Sequence, residues 1–160
     1  MSKYIYFLVL ITFFGSCKNS NEKKTINIES IIANELQKMN LEEDKYLILF
    51  ISEGMCSECI NKEFINIKQS DWINNNYLIV CGLFSNKRSF YSSINSINVK
   101  HVAYINKNII VEHIEQNNMP FYSIYDTKSH HLSQIMYPEP CDTSKTIEYY
   151  KSFMKHYHKN

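Results

Sequence analysis

Cys56 and Cys59 stand three positions apart in the segment Met55-Cys56-Ser57-Glu58-Cys59. Two thiols at that spacing can open and close a disulfide if the backbone holds both on one side of a turn. An apolar run, Tyr46-Leu47-Ile48-Leu49-Phe50-Ile51, precedes them, and a stretch of helical periodicity follows. A strand ending in a short turn would put Cys56 at the opening of a helix. There, unpaired backbone N–H groups and the positive end of the helix dipole favour a thiolate. A thiolate so placed attacks disulfides in other proteins. The alternative without chemistry is a permanent structural disulfide or an inert relic.

The flanking elements must position that pair. Ile28, Ile31, Ile32, Leu36 and Met39 recur at helical intervals and predict a helix over Ile26 to Met39, followed by a buried strand from Lys45 to Ser52. After Cys59, the positions of Ile60, Phe64 and Ile67 mark a helix face running towards Trp72 and Ile73. Asn74-Asn75-Asn76 breaks it before a strand from Tyr77 to Phe84. This is a βαβ unit. A helix over Lys87 to Ile94, a strand over Val99 to Ile105 and a helical turn or two over Ile109 to Glu115 follow. Phe121 to Tyr125 and Leu132 to Tyr137 predict an antiparallel hairpin around Asp126-Thr127-Lys128-Ser129-His130, and Thr143 to His156 a closing helix.

The N-terminus bears on compartment. Lys3 precedes an apolar run of 11 residues from Tyr4 to Phe14, and Gly15-Ser16-Cys17 closes it. That length suits a signal-peptide core and falls short of the roughly 18 residues that span a bilayer. Phe14-Gly15-Ser16-Cys17 resembles the lipobox of bacterial lipoproteins, although Phe14 stands where Leu is usual. The resemblance implies cleavage after residue 16, lipidation of Cys17 and an anchored protein outside the cytoplasm. Lys18 in place of an inner-membrane retention Asp implies the outer membrane, facing the periplasm. An ordinary secretory signal with an incidental Cys is the alternative. Residues 17–25, rich in Asn, Lys and Ser, read as a tether, and 26–160 as one domain.

Composition is that of a globular chain, with 44% hydrophobic and 21% charged residues, and a net charge of +1 makes no electrostatic case for nucleic acid. With three glycines and no Gly-rich phosphate loop, nucleotide binding has no motif either. No cofactor is expected. Cys81 lies in the apolar run Tyr77 to Cys81 and reads as a small buried hydrophobe, Cys141 as a loop residue after Pro140; a bridge between them stays open.

The element order resembles the thioredoxin-like superfamily, with Cys56-Ser57-Glu58-Cys59 at its active-site position. Met119-Pro120-Phe121-Tyr122-Ser123-Ile124-Tyr125-Asp126 resembles the segment in which a cis-proline opens a core strand. His101-Val102-Ala103-Tyr104-Ile105-Asn106-Lys107-Asn108 is similar to the insert of the membrane-anchored periplasmic branch. The resemblance implies an α/β, three-layer fold with a central mixed sheet flanked by helices. It also implies a thiol-disulfide oxidoreductase that reduces or exchanges disulfides of envelope proteins and is recharged by a membrane electron donor.

Each residue then takes a role from the resemblance. Cys56 is the nucleophile and Cys59 the resolving thiol. Met119 and a cis Pro120, with Met55, Ser57 and Glu58, line the substrate groove. Phe50 occupies the place where thioredoxins keep a buried Asp, so that proton route is missing; Glu53 or Glu58 would substitute. Carboxylates near a thiolate also raise its pKa, which favours the disulfide and implies a reducing or near-neutral couple. The competing function is a redox-inactive binding module, or a carrier of Cu(I) or Zn(II) held by Cys56, Cys59 and a completing His. His130-His131, His156 and His158 read as solvated, and His101 and His113 lack metal-site spacing.

Overall fold

The computed structural model describes residues 28–69, 76–107, 119–139 and 142–158. Its elements run α1 (Ile28–Leu36), β1 (Lys45–Ser52), α2 (Ser57–Gln69), β2 (Leu78–Phe84), α3 (Lys87–Ile94), β3 (His101–Asn106), β4 (Phe121–Asp126), β5 (His131–Met136) and α4 (Ser144–Tyr157). The five strands form one mixed sheet in the order β3-β2-β1-β4-β5. β1, β2 and β3 are parallel, while β4 runs antiparallel to β1 and β5 antiparallel to β4.

β1 is apolar between Lys45 and Ser52 because both of its faces are covered. Every residue from Tyr46 to Ser52 is buried. In register, Leu49 sits between Val80 and Tyr122, and Phe50 between Cys81 and Phe121. Since side chains alternate along a strand, Leu49, Val80, Gly82 and Tyr122 share one face, and Phe50, Cys81 and Phe121 the other. Right-handed crossovers place α2 and α3 on the first face. The absence of a side chain at Gly82 allows α3 to approach: a Cβ there would lie 2.1 Å from the Phe90 ring. α4 joins the same face, its Tyr150 ring meeting Tyr122 edge-on at 5.1 Å.

Differences from the sequence expectations lie at element ends. α1 stops at Leu36, short of Met39, as the chain tightens into i→i+3 bonds from Lys38 N–H to Glu35 and from Met39 N–H to Leu36. β3 begins at His101 because that residue is the partner of Ile79, which leaves Val99 outside the ladder. The β4–β5 hairpin carries a register shift between Tyr122 and Ile124, and Gln134 opposite it has φ 54°. An extra residue in β5 thus forms a bulge with a left-handed backbone. Trp72 to Asn75 and the turn expected at Ile109–Glu115 lie outside the described residues, as do Cys141, Cys17 and the apolar run at residues 4–14. Among the described residues, no helix is long and apolar enough to cross a membrane.

Candidate active site

β1 delivers the chain to its carboxyl end at Ser52, where Met55 N–H donates back to the Ser52 carbonyl at 3.0 Å and closes a turn over Glu53 and Gly54. Met55 folds inward, its Sδ accepting the Ser52 N–H at 3.2 Å. Cys56 follows as the cap of α2: its carbonyl accepts Ile60 N–H at 3.1 Å, and its Sγ accepts Cys59 N–H at 3.3 Å. A sulfur thus fills the role that a Ser or Asp oxygen usually has at a helix start. Carboxyl ends of parallel strands are where α/β sheets commonly hold reactive groups.

The two sulfurs lie 2.6 Å apart as free thiols, both partly exposed. Their acidities are split. The hydrogen bond from the Cys59 thiol, and then that from its backbone N–H, hold the Cys56 thiol below its ordinary value, while the Glu58 charge pulls weakly the other way. Burial, then the hydrogen bond to Cys56, push Cys59 up to about 11. Glu58 opposes the thiolate as expected, but the Cys59 thiol first and the Cys59 backbone N–H second outweigh it, so the net direction is down. Glu53 is turned elsewhere, its carboxylate accepting the Ser85 N–H and hydroxyl, each at 3.0 Å, which holds its pKa below the usual range.

Met119, 60 residues beyond Cys59, comes to the dithiol from the bend just ahead of β4, with its Sδ 3.6 Å from Cys59 Sγ. The expected cis bond is not formed: no cis peptide occurs among the described residues, so Met119–Pro120 is trans. Trans is the ordinary preference of an X–Pro bond, and a proline just ahead of a strand removes no ladder hydrogen bond. Pro120 is buried, Ser57 and Glu58 are exposed, and Met55 is 9% exposed. Of the residues named from the sequence, the structure brings Cys56, Cys59 and the Met119 side chain together, while Glu53 is held by Ser85.

Glu63 was missed. It lies one turn after Cys59 on the face that carries Ile60, Phe64 and Ile67, and is 3% exposed. Tyr122 O–H donates to its carboxylate at 2.7 Å and Asn66 at 3.4 Å, yet burial prevails and raises its pKa. Phe50 is fully buried and stacks on Phe121 at 4.9 Å.

Among the described residues, no histidine completes a metal site at the dithiol. His101 begins β3, His130 bonds Tyr125, His131 pairs with Asp126, and His158 meets the Lys45 carbonyl at 3.1 Å. All four lie at the opposite end of the sheet, where β1 starts. His156 bonds the Ser152 carbonyl within α4, and His113 lies outside the described residues. Among the described residues, no three His, Cys, Asp or Glu side chains gather so as to hold a metal.

No family model and no curated protein matches the chain. Solved structures do. One, a solution structure from Bacteroides vulgatus provisionally assigned as a thiol-disulfide oxidoreductase, superposes with TM-score 0.51 at 14% identity, covering 74% of this chain and 81% of that one. The fold is α/β and thioredoxin-like: a mixed five-stranded sheet flanked by helices, with a C-x-x-C pair where β1 meets α2.

Proposed function

We propose that this chain is a thiol-disulfide oxidoreductase of the bacterial cell envelope, held by a lipid on Cys17 and acting on disulfides of other envelope proteins. The observation that carries the reading is the pair of sulfurs at 2.6 Å on the α2 N-terminus, one thiol made more acidic and its neighbour less so. That split orders the chemistry. The Cys56 thiolate attacks one sulfur of a substrate disulfide; the S–S bond breaks, and the departing substrate thiolate takes a proton from water. Cys59 then gives up its proton and attacks Cys56 Sγ. This second exchange breaks the mixed disulfide, releases the second substrate thiol and leaves Cys56–Cys59 oxidised. A dithiol donor at the membrane returns the two electrons.

In this reading a substrate meets Ser57 and Glu58, which are exposed, and the half-buried Met119, with Met55 and Pro120 packed beneath them; Glu58 is the exposed carboxylate beside the thiols, since Glu53 is held by Ser85. Insulin reduction with the wild type and Cys56→Ser tests the activity. Turnover that vanishes in the variant is expected; a wild type without turnover contradicts the reading. Replacing Cys17 should release the protein from membranes of the producing cell, and unchanged fractionation would remove the anchor from the proposal.

A further inference from the structure

Three sulfur atoms of different origin meet at the dithiol. Cys56 Sγ and Cys59 Sγ are 2.6 Å apart, and Met119 Sδ stands 3.6 Å from Cys59 Sγ. The second methionine of the neighbourhood, Met55, is already engaged as acceptor of the Ser52 N–H. Met119 is half-buried and brings its thioether from the bend ahead of β4 to the resolving thiol of α2.

Soft thiolate and thioether donors select Cu(I), whereas Zn(II) prefers a tetrahedron of thiolates, imidazoles and carboxylates. Of the described histidines, His101, His130, His131 and His158 sit at the far end of the sheet and His156 bonds within α4, and no three His, Cys, Asp or Glu side chains gather among the described residues so as to hold a metal. A trigonal ion with metal–sulfur bonds of about 2.3 Å needs sulfurs about 4 Å apart. The Cys59–Met119 separation nearly meets that already. Cys56 is partly exposed at the cap of the helix, so a turn of its side chain towards solvent would supply the remainder. Two thiolates and one Cu(I) leave a net charge of −1, which the α2 N-terminus favours.

We infer that the reduced dithiol has a second activity, binding one Cu(I) ion through Cys56, Cys59 and Met119. Binding forms three Cu–S contacts and releases two thiol protons. Copper stays in the +1 state and no sulfur is oxidised. While the ion is bound, neither thiol is free to attack a disulfide, so metal occupancy and thiol exchange exclude each other.

The test uses fully reduced protein and Cu(I) supplied as its bis-bicinchoninate complex under anaerobic conditions, with affinity read from the loss of colour. Wild type should withdraw one Cu(I) per chain. Met119→Leu, which conserves side-chain volume and so the fold, should bind at least about tenfold more weakly, a loss that even an outer-shell partner of a metal can cause. X-ray absorption should count three sulfur neighbours in the wild type and two in Met119→Leu. Cys59→Ser should lose stoichiometric binding. Equal affinity and equal sulfur count in wild type and Met119→Leu would overturn the inference, as would a wild type that leaves the chelate untouched. No disulfide substrate enters these measurements. A chain that binds Cu(I) through three sulfurs without reducing insulin would refute the oxidoreductase reading alone, and a chain that reduces insulin without binding Cu(I) would refute this inference alone.

Discussion

The two ends of the sheet are fastened by different chemistry. Where β1 begins, polar contacts tie several segments together. Lys45 pairs with Asp126, Lys128 with Asp44 at 2.6 Å, and Thr127 bonds the Glu43 and Asp44 carbonyls. Tyr46 O accepts the Glu42 and Glu43 N–H groups, and His158 stacks on Tyr77 at 3.6 Å while meeting the Lys45 carbonyl. Where β1 ends, two thiols and two thioethers take the place of ion pairs. Carboxylate and ammonium groups keep their partners at neutral pH, whereas sulfur exchanges partners readily. The end that must stay closed is therefore polar, and the end that must change its bonding is sulfur-rich and held by apolar packing beneath.

The contrast can be broken most severely at the sulfur end. Cys56→Ser should lower insulin reduction on the order of 10³-fold or more, because no other described thiol combines exposure with lowered pKa. Its urea midpoint should stay near wild type. A midpoint shift as large as that of a core variant would show that the pair is structural.

The packing between the two ends comes next. Gly82→Ala drives a methyl into the Phe90 ring, itself fully buried, and should cost about 1–3 kcal/mol in urea unfolding. Unchanged stability would mean that α3 packs less closely than described.

At the polar end, Asp126 accepts the Lys128 and Ser129 N–H groups at 2.8 and 2.9 Å besides pairing with Lys45. Asp126→Ala should cost about 1–2 kcal/mol, mostly from those turn hydrogen bonds, since partly exposed ion pairs contribute little. The Lys45 hydrogen bond and the turn N–H groups depress the Asp126 pKa, so the unfolded chain takes up that proton first as pH falls. The stability it contributes is present above the unfolded value of 3.8 and disappears on acidification. The variant should lack that acid-side loss.

Glu63 works in the opposite sense and has the smallest effect. Its pKa is raised by burial, so its contribution is complete below the unfolded value of 4.5 and declines as pH rises through the folded one. Glu63→Gln keeps an oxygen for Tyr122 and cannot ionise. Its stability should stay level where the wild type loses no more than about 1.4 kcal/mol per pH unit. Parallel pH profiles would show that Glu63 does not titrate in the folded chain.

Much of this was legible in the sequence wherever local pattern decides structure. β1 at Lys45–Ser52 and α3 at Lys87–Ile94 fall where apolar runs and periodicity put them. Cys56 at the opening of α2 followed from strand, turn and helix signals alone. What was not legible depends on contacts between distant segments. Met119 reaches Cys59 across 60 residues, and nothing local to either residue announces a sulfur–sulfur approach. Glu63 reads as a solvated charge until Tyr122, 59 residues away, is seen to cover it. Glu53 was assigned to the thiols by nearness in the chain, but Ser85 at the end of the neighbouring strand holds it. The proline bond was expected from family likeness, which does not determine the local isomer.

The most direct test of the account is equilibration of the protein in glutathione buffers of graded potential, followed by acid trapping, alkylation and peptide mapping. A single reversible two-electron transition, with Cys56 and Cys59 joined in the oxidised form and Cys81 unmodified throughout under native conditions, is the result predicted. A Cys56–Cys59 bond that never forms, or one that glutathione and dithiothreitol cannot open in the folded protein, would contradict it.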